Sequence, residues 1–481
     1  MERKLILTAL CALSSAAVFG QAEGRKNILF ILTDDQQSNA IGALGNTQVR
    51  TPNMDCLVDN GMSFVNTYTN GAIGGALSMP SRAMLMTGRG VYQVRRDGQY
   101  IPPEHKTLGE HFKENGYATF ATGKWHADHK SFNRSFQNGD NIFFGGMFQY
   151  HLGGHVTPYV RHYDPSGEYK QEFAGDEFSS KMFADAAIEF IGQAAGAGKP
   201  FFTYVAFTSP HDPRNAHPSY GHLPDGDTIK LPPNFLPEHP FDNGELRIRD
   251  EELLPVPRTA SDMRNDLANY YGMVNELDVQ VGRILDALRE SGEWDNTIIV
   301  FAADNGLAMG QHGLIGKQSL YDHSAKVPMI IVDPSVPQGV RNEAYCYLYD
   351  IYPTLCEMAG VDIPSSVTGR SLVGTIKSGK NREALMLAYN SIQRALVMDG
   401  WKYIIYNVGG VITEQLFDLR RDPWEKDNRA GDPKQARRMK KLRERLKVEM
   451  AVAGDFCNLD DPTWWGEAHK IGWEEGLNLF P

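Results

Sequence analysis

The sequence predicts an α/β fold: a large, mostly parallel sheet sandwiched by helices, with a smaller C-terminal subdomain of antiparallel strands and one helix. Three observations lead there. Short, near-continuous apolar runs recur through the first three-quarters of the chain, as expected of strands buried on both faces. Helical patterns separate these runs, and alternating strands and helices imply parallel pairing through crossovers. From about residue 384 the pattern changes to short strands joined by turn signals.

Taken in order, Arg3 and Lys4 precede an apolar stretch from Leu5 to Phe19 and then Gly20-Gln21-Ala22, the pattern of a cleaved secretory signal peptide. The stretch is shorter than the ~20 residues that span a bilayer, so stable membrane insertion is not expected. Cleavage near Ala22 divides the chain into a signal peptide (1–22), a catalytic α/β domain (23–383) and the C-terminal subdomain (384–481). In the large domain "NILFILT" runs into Asp34-Asp35, "YATFAT" into Gly123-Lys124-Trp125-His126, "PFFTYVAFT" into Ser209-Pro210-His211 and "NTIIVFAA" into Asp304-Asn305. The helical patterns are "TLGEHFKENG", "DEFSSKMFADAAIEFIGQA" and "LANYYGMVNELDVQVGRILDALRESG", and a helix beginning near Pro80 fits "PSRAMLMTGR". The C-terminal strands are "LMLAYN", "RALVMDGWKYIIYN" and "EQLFDLRRD", followed by the basic helix "KQARRMKKLRERLKVEMAVAG", whose apolar stripe favours packing over binding a polyanion.

With 42% hydrophobic and 22% charged residues the composition is that of a soluble globular protein, and a net charge of −11 argues against nucleic acid as a partner. Cys56, Cys346, Cys356 and Cys457 match no zinc spacing and are too few for a disulfide framework.

Ligands of open α/β sheets bind beyond the carboxyl ends of the strands. That edge would receive Asp34, Asp35, Lys124, His126, His211, Asp304 and Asn305 from four strands. Hard-oxygen donors favour Ca²⁺ or Mg²⁺ over zinc, and a dication would neutralise carboxylates brought together. Arg82, Lys124, His126, His211 and Lys317 would add cations and donors suited to a phosphoryl or sulfuryl group, with Ser78 as nucleophile.

These residues fall in motifs that resemble the formylglycine-dependent (type I) sulfatases of the alkaline phosphatase superfamily. "SMPSRAMLMTGR" looks like the signature whose first residue is oxidised to formylglycine, here in its bacterial serine form. "TDDQ", "GKWH", "SPH", "ADNG", "GLIGKQSLYDHSAKVPMII" and "FDLRRDPWEKDN" follow in the family's order. The resemblance implies an alkaline phosphatase-like fold and a divalent cation, usually Ca²⁺, on Asp34, Asp35, Asp304, Asn305 and modified Ser78. It implies that Arg82 and Lys124 hold the modified side chain and sulfate, that His126 bonds the formylglycine hydrate, and that His211 and Lys317 contact sulfate, one of them protonating the leaving alkoxide. It also implies a radical maturase acting on Ser78 before export to the periplasm or medium.

The segment "LPPNFLPEHPFDNGELRIRDEELLPVPRT" resembles carbohydrate sulfatases acting on glycosaminoglycan or other sulfated glycan fragments. Asp128, His129, Asp212 and Arg214 are candidate substrate residues, able either to bind sugar hydroxyls and a uronate or to pair as scaffold. Tyr150, His151, Arg161 and His162 lie in an insertion that could form a rim. The alternatives to a sulfatase are a phosphoesterase of the same superfamily and a non-catalytic sulfated-glycan-binding protein.

Overall fold

The structure is a computed structural model that describes residues 24–214 and 224–465. The expected signal peptide lies outside the described residues. Along the chain run β1 (Asn27–Thr33), α1 (Pro52–Asn60), β2 (Met62–Tyr68), β3 (Gly71–Ala72), α2 (Ser78–Thr87), α3 (Leu108–Glu114), β4 (Ala118–Lys124), α4 (His129–Ser135), β5 (Asn138–Phe143), β6 (Tyr159–Val160) and β7 (Phe173–Ala174). Then come α5 (Ser179–Ala194), β8 (Phe201–Ala206), α6 (Ala260–Glu290), β9 (Thr297–Ala303), α7 (Asp322–Ala325), β10 (Lys326–Val327), β11 (Met329–Val332), β12 (Val340–Tyr347), α8 (Ile351–Met358) and α9 (Val373–Ser378). The C-terminal part holds β13 (Ala384–Tyr389), β14 (Gln393–Met398), β15 (Trp401–Val408), β16 (Val411–Asp418), α10 (Ala436–Ala453) and α11 (Pro462–Trp465).

The large sheet is ordered β10-β2-β11-β9-β1-β8-β4-β5, with β12 beside β2. β9, β1, β8, β4 and β5 are parallel to their neighbours, and β11 runs antiparallel between β9 and β2. The four apolar runs are thus β1, β4, β8 and β9, side by side at the centre. Their lack of polar alternation follows from burial on both faces. Ile28, Phe30 and Leu32 point into one core with Met84 of α2, Phe112 of α3 and Ile351 of α8, while Leu29 and Ile31 point into another with Phe183 of α5 and Leu277 of α6.

The second sheet is ordered β16-β15-β14-β13-β3. Its long strands are antiparallel hairpin neighbours, whereas β3, arriving from far upstream, pairs parallel with β13 through Gly71 and Ala72. Leu385, Tyr403 and Leu416 of this sheet belong to the same core as Ile28 and Phe30. The basic helix α10 buries Leu442, Leu446 and Met450, one stripe at four-residue spacing. Several of its cations are paired, Lys441 with Asp399, Arg445 with Glu383 and Lys447 with Asp460. Cys346, Cys356 and Cys457 are buried free thiols and Cys56 is half-buried. Among the described residues no helix is long and apolar enough to cross a membrane.

Candidate active site

The parallel strands deliver their polar endings to one edge. The chain leaves β1 through Asp34, whose N–H donates to Ser209 O (3.1 Å), and leaves β9 through Asp304, whose N–H donates to Thr33 O (3.0 Å). Asp35 has φ 64°, a left-handed turn that redirects its side chain, and its N–H donates to Asp304 Oδ1 (3.1 Å). β4 reaches the edge through a slip in its register with β5 between Thr122 and Gly123. Gly123 has φ 88°, and a Cβ there would lie 2.0 Å from Ala206 O. Glycine is therefore required, and this irregularity re-aims Lys124, which is completely buried.

Helix α2 opens at Ser78 rather than near Pro80; a proline in the first turn is tolerated because N–H groups there have no intrahelical acceptor. Gly88 closes the helix in the left-handed conformation, its N–H returning to Met84 O. Ser78 thus stands where unpaired amides and the helix dipole favour an anion. Its hydroxyl donates to Asp34 Oδ1 (3.1 Å) and accepts from Lys317 Nζ (3.0 Å). With the Asn305 amide oriented so that Nδ2 donates to Asp304 O (3.1 Å), its Oδ1 accepts from Ser78 N–H (3.1 Å). Asp34, Asp35, Asp304 and Asn305, distant in sequence, are therefore gathered around residue 78.

The carboxylates are matched one for one by cations. Lys124 Nζ bonds Asp34 Oδ2 at 2.5 Å, Lys317 Nζ bonds both Asp35 oxygens at 2.7 and 2.9 Å, and Arg82 Nε bonds Asp304 Oδ2 at 2.8 Å. Chain cations thus share in neutralising these acids. A dication arriving together with a sulfate dianion would preserve that balance. Ligand atoms of Asp34, Asp35 and His211 all lie within 4.8 Å of one another, a possible metal site to which the two carboxylates bring hard-oxygen donors. Burial and the charge of Asp34 also push Asp304 up to about 6, a strain that a cation would relieve.

Two histidines at the edge differ in state. Burial, reinforced by Lys124 and Arg82, holds His126 well below the usual imidazole range, and its Nδ1 is buried without a partner. Burial also opposes charge on His211, but Asp35 and Asp212 outweigh it and raise the group, with Nε2 3.5 Å from Asp35 Oδ2 and Nδ1 bonded to Asp212 O at 2.9 Å. One imidazole biased toward the neutral form and one toward the protonated form beside the same cavity is the division of labour that acid–base chemistry uses. Burial lowers Lys124, whereas the carboxylates around Lys317, Asp35 foremost, overcome burial and raise it.

A cavity of 390 Å³ opens onto Ser78, Lys124, His126, His211 and Lys317. Arg82 does not line it. Its guanidinium bonds Asp304, Lys124 O (2.7 Å) and Phe207 O (3.5 Å), so it braces Asp304 and the Lys124 backbone. The substrate candidates also need correction. Asp128 caps α4, accepting from Ser131 N–H (2.9 Å) and Ile101 N–H (3.0 Å), and His129 packs on Phe144 and Tyr169. Arg214 is buried against Asp266 (2.6 Å), and Asp212 braces His211 and Arg249. In the insertion, Gly146 and Met147 reach the cavity, whereas Tyr150, His151, Arg161 and His162 do not line it.

Sequence reasoning missed Glu245, Arg249, Asp250, Gln318 and Tyr389, which supply the other polar side chains of the lining. The first three stood in the charged run "GELRIRDEE", the one available signal.

Comparison with known proteins accords with this geometry. Residues 26–361 match the family described as Sulfatase, and residues 310–451 match the one described as N-sulphoglucosamine sulphohydrolase, C-terminal. The chain is 28% identical over 440 residues to a sulfatase of Formosa agariphila, covering 85% of this chain and 83% of the relative. It is 26% identical over 520 residues to an N-acetylglucosamine-6-O-sulfatase of Bacteroides thetaiotaomicron, covering 92% and 89%. A structure solved in complex with its substrate D-glucosamine-2-N,6-O-disulfate superposes with a TM-score of 0.73 at 24% identity, covering 92% of this chain and 99% of that one, a likeness of fold. Since the first match alone spans more than half of the sequence, the chain belongs to the sulfatase family, and its reaction class is the hydrolysis of sulfuric esters.

Proposed function

We propose that the protein is an exported, formylglycine- and Ca²⁺-dependent sulfatase that removes sulfate esters from carbohydrates, glycosaminoglycan or other glycan fragments among them. The observation that carries the reading is the placement of the Ser78 hydroxyl, bonded to Asp34 and Lys317 at the opening of α2 and facing a cavity whose inner end collects Lys124, Lys317 and His211. Asp34, Asp35, Asp304 and Asn305 would hold the cation, which supplies charge stabilisation, while oxidation of residue 78 supplies a hydrated aldehyde able to attack sulfur and then expel sulfate.

Lys124 and Lys317 bind and orient the anionic group and stabilise the charge that accumulates on its oxygens. Arg82 keeps Asp304 and the Lys124 backbone in place. His126, neutral and with an open buried nitrogen, accepts a proton from the side chain at position 78. His211, charged and anchored by Asp212, donates a proton to the departing sugar oxygen from Nε2.

Mass spectrometry of the peptide containing residue 78, from a host with the maturase, together with sulfate release from glycan fragments, tests the reading. Formylglycine with released sulfate is the expected result. Unmodified serine with turnover of phosphate esters alone would make it a phosphoesterase, and retention on sulfated glycans without release would make it a binding protein.

A further inference from the structure

The cavity that opens onto Ser78 is walled in part by the stretch 245–250 and by Tyr389, and the charge there differs from that around Ser78. Among the described residues the Glu245 carboxylate accepts from the Tyr389 hydroxyl alone, Oε1 at 3.1 Å. Asp250 uses one oxygen for Arg249 Nη1 (3.1 Å) and the other for Gln318 Nε2 (2.9 Å). Arg249, the one guanidinium in the lining among the described residues, is held in a fork by both oxygens of Asp212 and shares Nη1 with Asp250. Its charge is therefore offset on two sides, and Lys317, whose charge also reaches Asp250, is bonded to Asp35 and Ser78. A carboxylate on the substrate would meet Glu245 and Asp250, while among the described lining residues Arg249 and Lys317 are already paired with carboxylates, and like charges across a desolvated contact suppress binding strongly. A hydroxyl or amine would instead find an acceptor in Glu245.

We propose that Glu245, Asp250 and Arg249 make the cavity selective for a sulfated sugar whose ring carries no carboxylate, with Glu245 accepting a hydrogen bond from a ring hydroxyl or amine. This rests on the sulfatase reading of the same site and adds the charge class of the sugar. It also turns away from the uronate that Asp212 and Arg214 suggested in the sequence, because both are committed to Arg249, His211 and Asp266.

The test uses the matured full chain, an activated aryl sulfate, and matched pairs differing only at C6: glucose and glucuronate sulfated at positions 2, 3 and 4, and the galactose and galacturonate equivalents. The hexose sulfate of the accepted position is expected to exceed its uronate partner in kcat/KM by at least ~10-fold. Glu245→Gln and, independently, Asp250→Asn are expected to narrow that ratio. Equal or better turnover of the uronate sulfate, or a ratio unmoved in both variants, overturns the charge selection while aryl sulfate hydrolysis keeps the sulfatase reading standing. Release of sulfate from none of the esters overturns both.

Discussion

Gly123→Ala makes the sharpest test of how the sheet edge aims its side chains. The new Cβ would sit 2.0 Å from Ala206 O, roughly 1.5 Å inside the ~3.5 Å at which non-bonded heavy atoms rest. The residue also holds φ at 88°, a region costing a side chain about 1–2 kcal/mol. Adding about 1–3 kcal/mol for forced overpacking gives a stability loss of ~2–5 kcal/mol. Relief requires β4 to move away from β8, and the residue that moves first is Lys124, bonded to Asp34 at 2.5 Å. A displacement of about 1 Å at a positioned group costs on the order of 100-fold in rate. Denaturant unfolding and kcat/KM on an aryl sulfate, measured at a temperature where the variant is folded, report the two effects separately. A variant that loses less than about 1 kcal/mol and keeps activity within a few-fold would refute the claim that the irregularity at Gly123 sets Lys124.

Other perturbations separate the remaining roles. His211→Ala is expected to slow hydrolysis of sugar sulfates far more than that of activated aryl sulfates, because a good leaving group needs little protonation; equal losses would remove the acid role from His211. Burial pushes Glu276 up to about 8 from its ordinary value of 4.5, with Oε1 accepting from Gln280. The folded state therefore keeps a proton that the unfolded chain releases, so stability falls as pH rises from 4.5 towards 8, by ~3 kcal/mol between pH 4.5 and 7, and levels above that range. Glu276→Gln should flatten this decline in urea unfolding followed across pH, and an unchanged slope would assign it to other groups. Chelation of divalent cations should lower Tm and abolish sulfate release, with Ca²⁺ restoring both; full activity in chelator would exclude a metal from the cluster.

The strands and the residues that end them were legible because burial on both faces removes polar alternation, leaving an apolar run whose end is marked by the first charged residue, as at Asp34 and Asp304. Lys317 was legible through its motif alone, for it lies in a buried loop without periodicity. The choice between a substrate and a scaffold role for Asp128 could have been narrowed from the helix "HKSFNRS" that follows it, which is what a capping aspartate precedes. The partners of Arg82 were not legible, because sequence records a cation's presence and not which acceptors its donors reach. Glu245 and Tyr389 could not be paired at all: one lies in an irregular stretch and the other ends a strand of the second sheet, and only the tertiary meeting of the two makes a wall.

The short pairing of β3 with β13 ties the approach to Ser78 to the C-terminal sheet, whose Tyr389 faces the same cavity. The chamber beside Ser78 is consequently walled by parts of the chain that are far apart in sequence and belong to both sheets' surroundings. A chain shortened before residue 384 would not be a smaller enzyme with the same taste: it would lose a flank of its binding chamber and leave Gly71 and Ala72 without their strand neighbour.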